Sequence, residues 1–135
     1  AWTGPATFMT ALAAGVALGA VGLLPPGLEA AIAASVVLFG AMIVLATRRT
    51  QGSAGLWLVA LAAALHGLAH GAEAPAAMGF AGYAAGLMFT TAALHFGGMF
   101  AGLSLRSAFA ERAGRIVGGL GLACSGAGLV LISHL

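Results

Sequence analysis

Apolar residues run along this chain in five long blocks, and polar residues gather in the gaps between them. The blocks extend from Pro5 to Leu24, Glu29 to Thr47, Gly55 to Ala72, Gly79 to Leu105 and Ala113 to Leu135. They are continuous where a membrane-barrel strand would alternate, and far longer than the ~10 residues such a strand uses. Each comes close to or exceeds the roughly 20 apolar residues with which a helix crosses the hydrocarbon core of a bilayer. The gaps carry stop signals: Pro25-Pro26-Gly27, Arg48-Arg49-Thr50-Gln51-Gly52-Ser53, Glu73-Ala74-Pro75, and the stretch from Arg106 to Arg112. The pattern predicts an all-α membrane protein, a polytopic bundle of about five transmembrane helices. Residues 1–135 form a single transmembrane domain on this reading, with no room for a soluble one.

Composition narrows the picture by exclusion. Of 135 residues, 61% are hydrophobic and 6% charged, where a soluble domain carries about a quarter charged side chains to hydrate its surface. High hydrophobicity also excludes intrinsic disorder, and the single Cys124 excludes a disulfide scaffold. Five Arg against three Glu form no basic patch, so no nucleic-acid partner is expected. The partner that the composition does imply is the lipid bilayer. All five Arg fall at two junctions on one side: Arg48 and Arg49 between spans two and three, and Arg106, Arg112 and Arg115 around the junction of spans four and five. The excess of Lys and Arg in cytoplasmic loops makes that side cytoplasmic, with the chain's first span starting there. Trp2 and Trp57 fall at the same side, where interfacial Trp is expected. Gly and Ala pervade every span, and small residues let helix backbones approach closely in lipid, so tight packing is the expected role of each glycine. The chain opens on Ala1 without an initiator Met or a secretory signal, and is expected to begin partway through a longer gene product.

With so few polar side chains, those inside the spans carry the chemical information, because an ionisable group at membrane depth is costly. His66, His70 and Glu73 lie at the outer end of span three, and His95 lies within span four. His66 and His70 are one helical turn apart and share a face, which Glu73 extends if the helix persists. Imidazole with carboxylate is a ligand set for borderline divalent metals such as Ni, Co or Zn. Glycines follow both His, in His66-Gly-Leu-Ala-His70-Gly-Ala-Glu73-Ala-Pro75, and allow another helix or a ligand to come close. His95 is deep in its span, so these residues need not share one coordination shell and could instead be successive stations, one near the external mouth and one deeper. The hydroxyls of Thr90 and Thr91, one turn from His95, are candidates to orient its ring. Glu29 follows the Pro25-Pro26 turn and is read as meeting the dipole of span two, or as part of an outer vestibule. Dispersed Met residues and a lone mid-span Cys124 argue for packing rather than copper ligation. His134, at the end of the last span, is read as interfacial.

The segment His66-Gly-Leu-Ala-His70-Gly-Ala-Glu73-Ala-Pro75 resembles the HupE/UreJ family of bacterial membrane proteins. The resemblance continues through Pro25-Pro26-Gly27-Leu28-Glu29, Ile32-Ala33-Ala34-Ser35-Val36 and Thr90-Thr91-Ala-Ala-Leu94-His95, in order along most of the chain. These proteins are associated with hydrogenase and urease gene clusters and are regarded as nickel or cobalt permeases. The resemblance implies a multi-pass protein of the bacterial inner membrane, six-helical in the full family, with His66, His70, Glu73 and His95 as metal ligands. Family members usually begin with a signal peptide and a further span bearing a His-Pro-x-x-Gly-x-Asp-His motif. No part of this chain matches that motif, and the chain contains no Asp.

The leading expectation is a permease that carries Ni²⁺ or Co²⁺ from periplasm to cytoplasm. The ion is cargo, and no permanently bound cofactor is expected. The alternative is a small, non-transporting structural or accessory subunit of a larger membrane complex; the partners expected beyond lipid and metal ion are a second copy of the chain or such a complex. A b-type haem protein needs two His at matching depth, and His66 and His95 are offset. An enzyme is not expected, since the spans carry no Ser–His pair and no paired carboxylates to run a reaction.

Overall fold

The computed structural model describes residues 2–46, 53–75, 77 and 79–135. Among the described residues the chain forms five α-helices and no strand: α1 (Thr3–Ala20), α2 (Leu28–Ala46), α3 (Ser53–Ala72), α4 (Phe80–Ala108) and α5 (Ala110–Ser133). All five are long and apolar enough to cross a membrane. Arg48 and Arg49, with Thr47, lie outside the described residues.

The helix ends depart most from the hydropathy reading at two places. The first helix stops at Ala20 rather than Leu24, because Gly22 adopts the left-handed region with φ 80°. Its N–H bonds the Gly19 carbonyl at 2.9 Å, and the Leu23 N–H bonds the Leu18 carbonyl at 3.1 Å. That pair of bonds is a Schellman closure, which satisfies the last carbonyls and ends the helix before the prolines are reached. Space around Gly22 is open, so Gly22→Ala meets only the backbone penalty of the left-handed region. It is expected to destabilise the protein by about 1–2 kcal/mol in detergent unfolding monitored by circular dichroism.

The second difference concerns the arginines. The stretch from Arg106 to Arg112 is helical except at Phe109, whose φ of −135° and ψ of 46° make a one-residue joint between α4 and α5. Arg106 lies in the last turn of α4 and Glu111 in the first turn of α5, each complementing the dipole of its helix end. At 1.5 Å per residue, the 29 residues of α4 span about 43 Å, well beyond a hydrocarbon core of roughly 30 Å. Charged residues can thus leave the apolar layer without leaving the helix.

Small residues build two tight helix pairs. In α1, Gly15 and Gly19 are four apart, and Gly67 and Gly71 repeat that spacing in α3. A Cβ on Gly67 would lie 2.9 Å from the Gly15 Cα, and one on Gly71 would lie 2.8 Å from the Ala20 nitrogen. The two backbones are therefore in direct contact, and the register shows α1 and α3 running parallel. Leu12, Val16 and Ala63 form the core of this pair, with Phe8, Ala84, Leu87 and Met88 packed on it. The second pair, α2 with α5, is antiparallel. Gly121 approaches the Gly40 carbonyl and Gly128 approaches Val37, while the Ser125 hydroxyl donates to the Val37 carbonyl at 3.1 Å.

The pairs touch one another only sparsely, and α4 has no buried residue. Its glycines at 82, 86, 97, 98 and 102 have nothing within 4 Å of the position a Cβ would take. Close packing is thus the role of the glycines in the two pairs and not of every glycine in the chain. Cys124 likewise faces outward from α5 rather than packing inside. The register of the contacts brings the starts of α1, α3 and α5 and the ends of α2 and α4 to one end of the bundle, the end that carries Arg106, Arg112 and Arg115.

Candidate functional site

The third helix divides its faces by a one-residue offset. Gly67 and Gly71 form the face laid against α1, and His66 and His70 each precede one of them, about 100° around the helix. The glycines thus admit a helix backbone, and the imidazoles are left beside that seam, half-buried. Glu73 follows the last helical residue and is exposed, but its N–H still closes onto the Ala69 carbonyl at 3.0 Å. His66, His70 and Glu73 consequently ascend one side of α3 toward the end opposite the arginines.

Hydrogen bonds define the chemistry of the rings. His66 donates from Nδ1 to the Ala62 carbonyl at 2.9 Å, and His95 donates from Nδ1 to the Thr91 carbonyl at 2.9 Å. A carbonyl can only accept, so the proton sits on Nδ1 and the neutral ring keeps its lone pair on Nε2. It is the Thr91 backbone, and not a threonine hydroxyl, that orients His95. His70 is oriented differently: its Nδ1 lies 3.1 Å from the Tyr83 hydroxyl on α4.

His95 belongs to a different level of the bundle. From Tyr83, beside His70, to His95 the rise along α4 is about 18 Å, whereas His66 lies about 6 Å below His70 on α3. His95 is half-buried against Phe8 of α1, with ring centroids 4.9 Å apart. It borders a cavity of about 920 Å³ that all five helices line, among them through Phe39, Ile43, Val59, Arg106 and Val117. The lining runs from His95 to Arg106 along α4, and among the described residues His95 and Arg106 are the ionisable side chains in its wall. Among the described residues no three His, Cys, Asp or Glu side chains converge on one point able to hold a metal. The structure therefore brings His66 and His70 together on one face with Glu73 beyond them, and holds His95 apart. Glu29 is exposed in the first turn of α2, where its charge meets the helix dipole, and His134 is exposed at the end of α5.

Tyr83, Phe8 and Arg106 complete these surroundings and were not evident as neighbours of the histidines. Tyr83 is the only tyrosine in the chain, but its partner is thirteen residues away across a turn, beyond the reach of helical spacing.

A sequence profile of the family described as HupE / UreJ protein matches residues 1–131. Protein HupE of Rhizobium leguminosarum bv. viciae is 32% identical over 133 residues, covering 96% of this chain and 67% of that protein. No solved structure matches. The chain belongs to the HupE/UreJ family.

Proposed function

Because the chain is a HupE/UreJ protein, we propose that it is a permease moving a divalent transition-metal ion, Ni²⁺ or Co²⁺, across the bacterial inner membrane. Family membership supports a nickel or cobalt accessory or permease role, and the positions of the side chains support the route. The ion enters at the end holding Glu73 and His70 and leaves at the arginine end, which the positive-inside rule makes cytoplasmic. Glu73 attracts the hydrated cation at the outer mouth. His70 and His66 then replace part of its water shell, and His95 receives it about 12 Å deeper, at the head of the chamber. Two separated stations suit conduction, which requires binding favourable enough to enter and weak enough to leave.

The observation that carries this reading is the arrangement of the rings. His66 and His95 each tie Nδ1 to a carbonyl of their own helix and present Nε2 free. This is how a metal-ligating His is held, with the second nitrogen fixing tautomer and ring orientation. Imidazole favours Ni, Co and Zn over Mg or Ca, which prefer oxygen. The chain acts on its cargo by exchange of ligands, without a chemical reaction. Purified protein in liposomes enclosing a metal-sensitive dye tests the proposal. Ni²⁺ or Co²⁺ should enter faster than in protein-free liposomes, and Mg²⁺ should not. Equal rates for all three ions with and without protein would refute it, and would favour an accessory role in a larger complex.

A further inference from the structure

His70 differs from the other two half-buried histidines in what holds it. His66 and His95 are each anchored by the carbonyl four residues earlier in the same helix. The corresponding carbonyl for His70 belongs to His66, yet its Nδ1 instead meets the Tyr83 hydroxyl, 3.1 Å away on α4. The orientation of the outermost ring is thus set by another helix. That helix is the least embedded of the five, with no buried residue along its 29 positions. Ala84, Leu87 and Met88 pack on the α1–α3 core just beyond Tyr83, so the contact lies where α4 touches its neighbours.

We propose that Tyr83 is a positioning residue for the metal site, acting through His70. The inference rests on the permease reading above. A phenol can donate to a ring nitrogen or accept from it. If the Tyr83 O–H donates to Nδ1, the neutral ring carries its proton on Nε2 and presents no lone pair there. If His70 donates from Nδ1 to the phenolic oxygen, Nε2 is free, as in His66 and His95. The second arrangement is the metal-binding one, and it gives all three rings the same ligating nitrogen. Tyr83 is then to His70 what the Ala62 carbonyl is to His66, with one consequence peculiar to it: the outer site is complete only while the start of α4 rests against α3. The start of α4 is itself fixed by Gly79, whose φ of 67° turns the chain into the helix and whose carbonyl accepts the Tyr83 N–H at 3.2 Å.

The test compares the full chain with Tyr83→Phe and Tyr83→Leu in detergent. ¹⁵N spectra of histidine-labelled, metal-free protein report each ring's tautomer, and equilibrium dialysis reports Ni²⁺ affinity. Tyr83→Phe should shift the His70 signals away from the Nδ1–H form while leaving those of His66 and His95 in place. It should weaken Ni²⁺ binding by about 10-fold or more, as loss of an outer partner does at other metal sites. His70 signals and affinity both unchanged in Tyr83→Phe would overturn the proposal. So would loss confined to Tyr83→Leu, since the ring's packing and not its hydroxyl would then be the cause. Wild-type protein that binds no Ni²⁺ would sink the permease reading instead, while the His70 tautomer would still report on Tyr83.

Discussion

Valine at both Gly67 and Gly71 is expected to separate α1 from α3 and to abolish the ordered outer site. Each added Cβ meets backbone and not a flexible side-chain end: Gly15 Cα and Val16 N at Gly67, Ala20 N and the Val16 carbonyl at Gly71. Backbone of a neighbouring helix cannot rotate out of the way, so the helices must part. Overpacking costs on the order of 1–3 kcal/mol per site, and here the loss falls on the pair that holds the core residues Leu12, Val16 and Ala63. In lipid no hydrophobic force restores such a contact, since van der Waals packing of small residues is what drives association there. The control lies in the same chain. Gly86 and Gly97 on α4 have nothing within 4 Å of the position a Cβ would take. Alanine at those positions should leave stability unchanged or raise it by up to about 1 kcal/mol per site through helix propensity. Unfolding in mixed detergent, followed by circular dichroism, separates the cases. A tolerated double valine with damaging alanines on α4 would mean that α1 and α3 do not pair through these glycines.

Removing both outer imidazoles should have the other large effect. His66→Ala with His70→Ala is expected to weaken Ni²⁺ binding beyond the roughly 10- to 100-fold that loss of an outer partner costs, because two ring nitrogens go at once. Uptake into liposomes should fall to the protein-free rate. His95→Ala should behave differently, because its ring lies about 12 Å further along the bundle. Equilibrium binding at the outer site should persist while uptake drops. Dialysis and flux measured on the same preparations check both statements. Equal loss of binding in the two variants would mean one shared site, and uptake unchanged in the double variant would remove His66 and His70 from the path. Neither variant is expected to unfold the protein, since all three rings are only half-buried.

Much of the architecture was legible because lipid imposes a single strong constraint, that each crossing be a long apolar helix. The stops at Pro25-Pro26 and Glu73-Ala74-Pro75 were therefore visible. What hydropathy could not show was any event within a continuous apolar run. The end of α1 depends on the φ of one glycine, and Val21, Leu23 and Leu24 prolong the apolar signal past it. The joint at Phe109 was hidden for the opposite reason. Two arginines and a glutamate signalled a loop, although α4 and α5 together are long enough to carry them in helix. For the candidate site, spacing along one helix was enough to put His66 and His70 on one face, since four residues make about one turn. It said nothing of Tyr83 or Phe8, whose relation to the histidines is tertiary. Nor could it choose among 22 glycines, because four-residue spacings of small residues recur throughout the chain. Only the backbone contacts separate Gly15, Gly19, Gly67 and Gly71 in one pair, and Gly40, Gly121 and Gly128 in the other, from the rest.

The uneven distribution of that packing has a mechanical meaning. Backbone-to-backbone contact makes α1 with α3, and α2 with α5, two stiff bodies, and few contacts are broken when one tilts against the other. The chamber below His95 lies along the seam between them, walled by Phe8 and Val59 on one side and by Phe39, Ile43 and Val117 on the other. Each pair is thus a lever that lines one side of it. The fourth helix is tied to the first lever through Tyr83 and joined to the second through Phe109, so it spans both arms. Rocking of the arms would load that helix at its two ends, with His95 near the middle of the span.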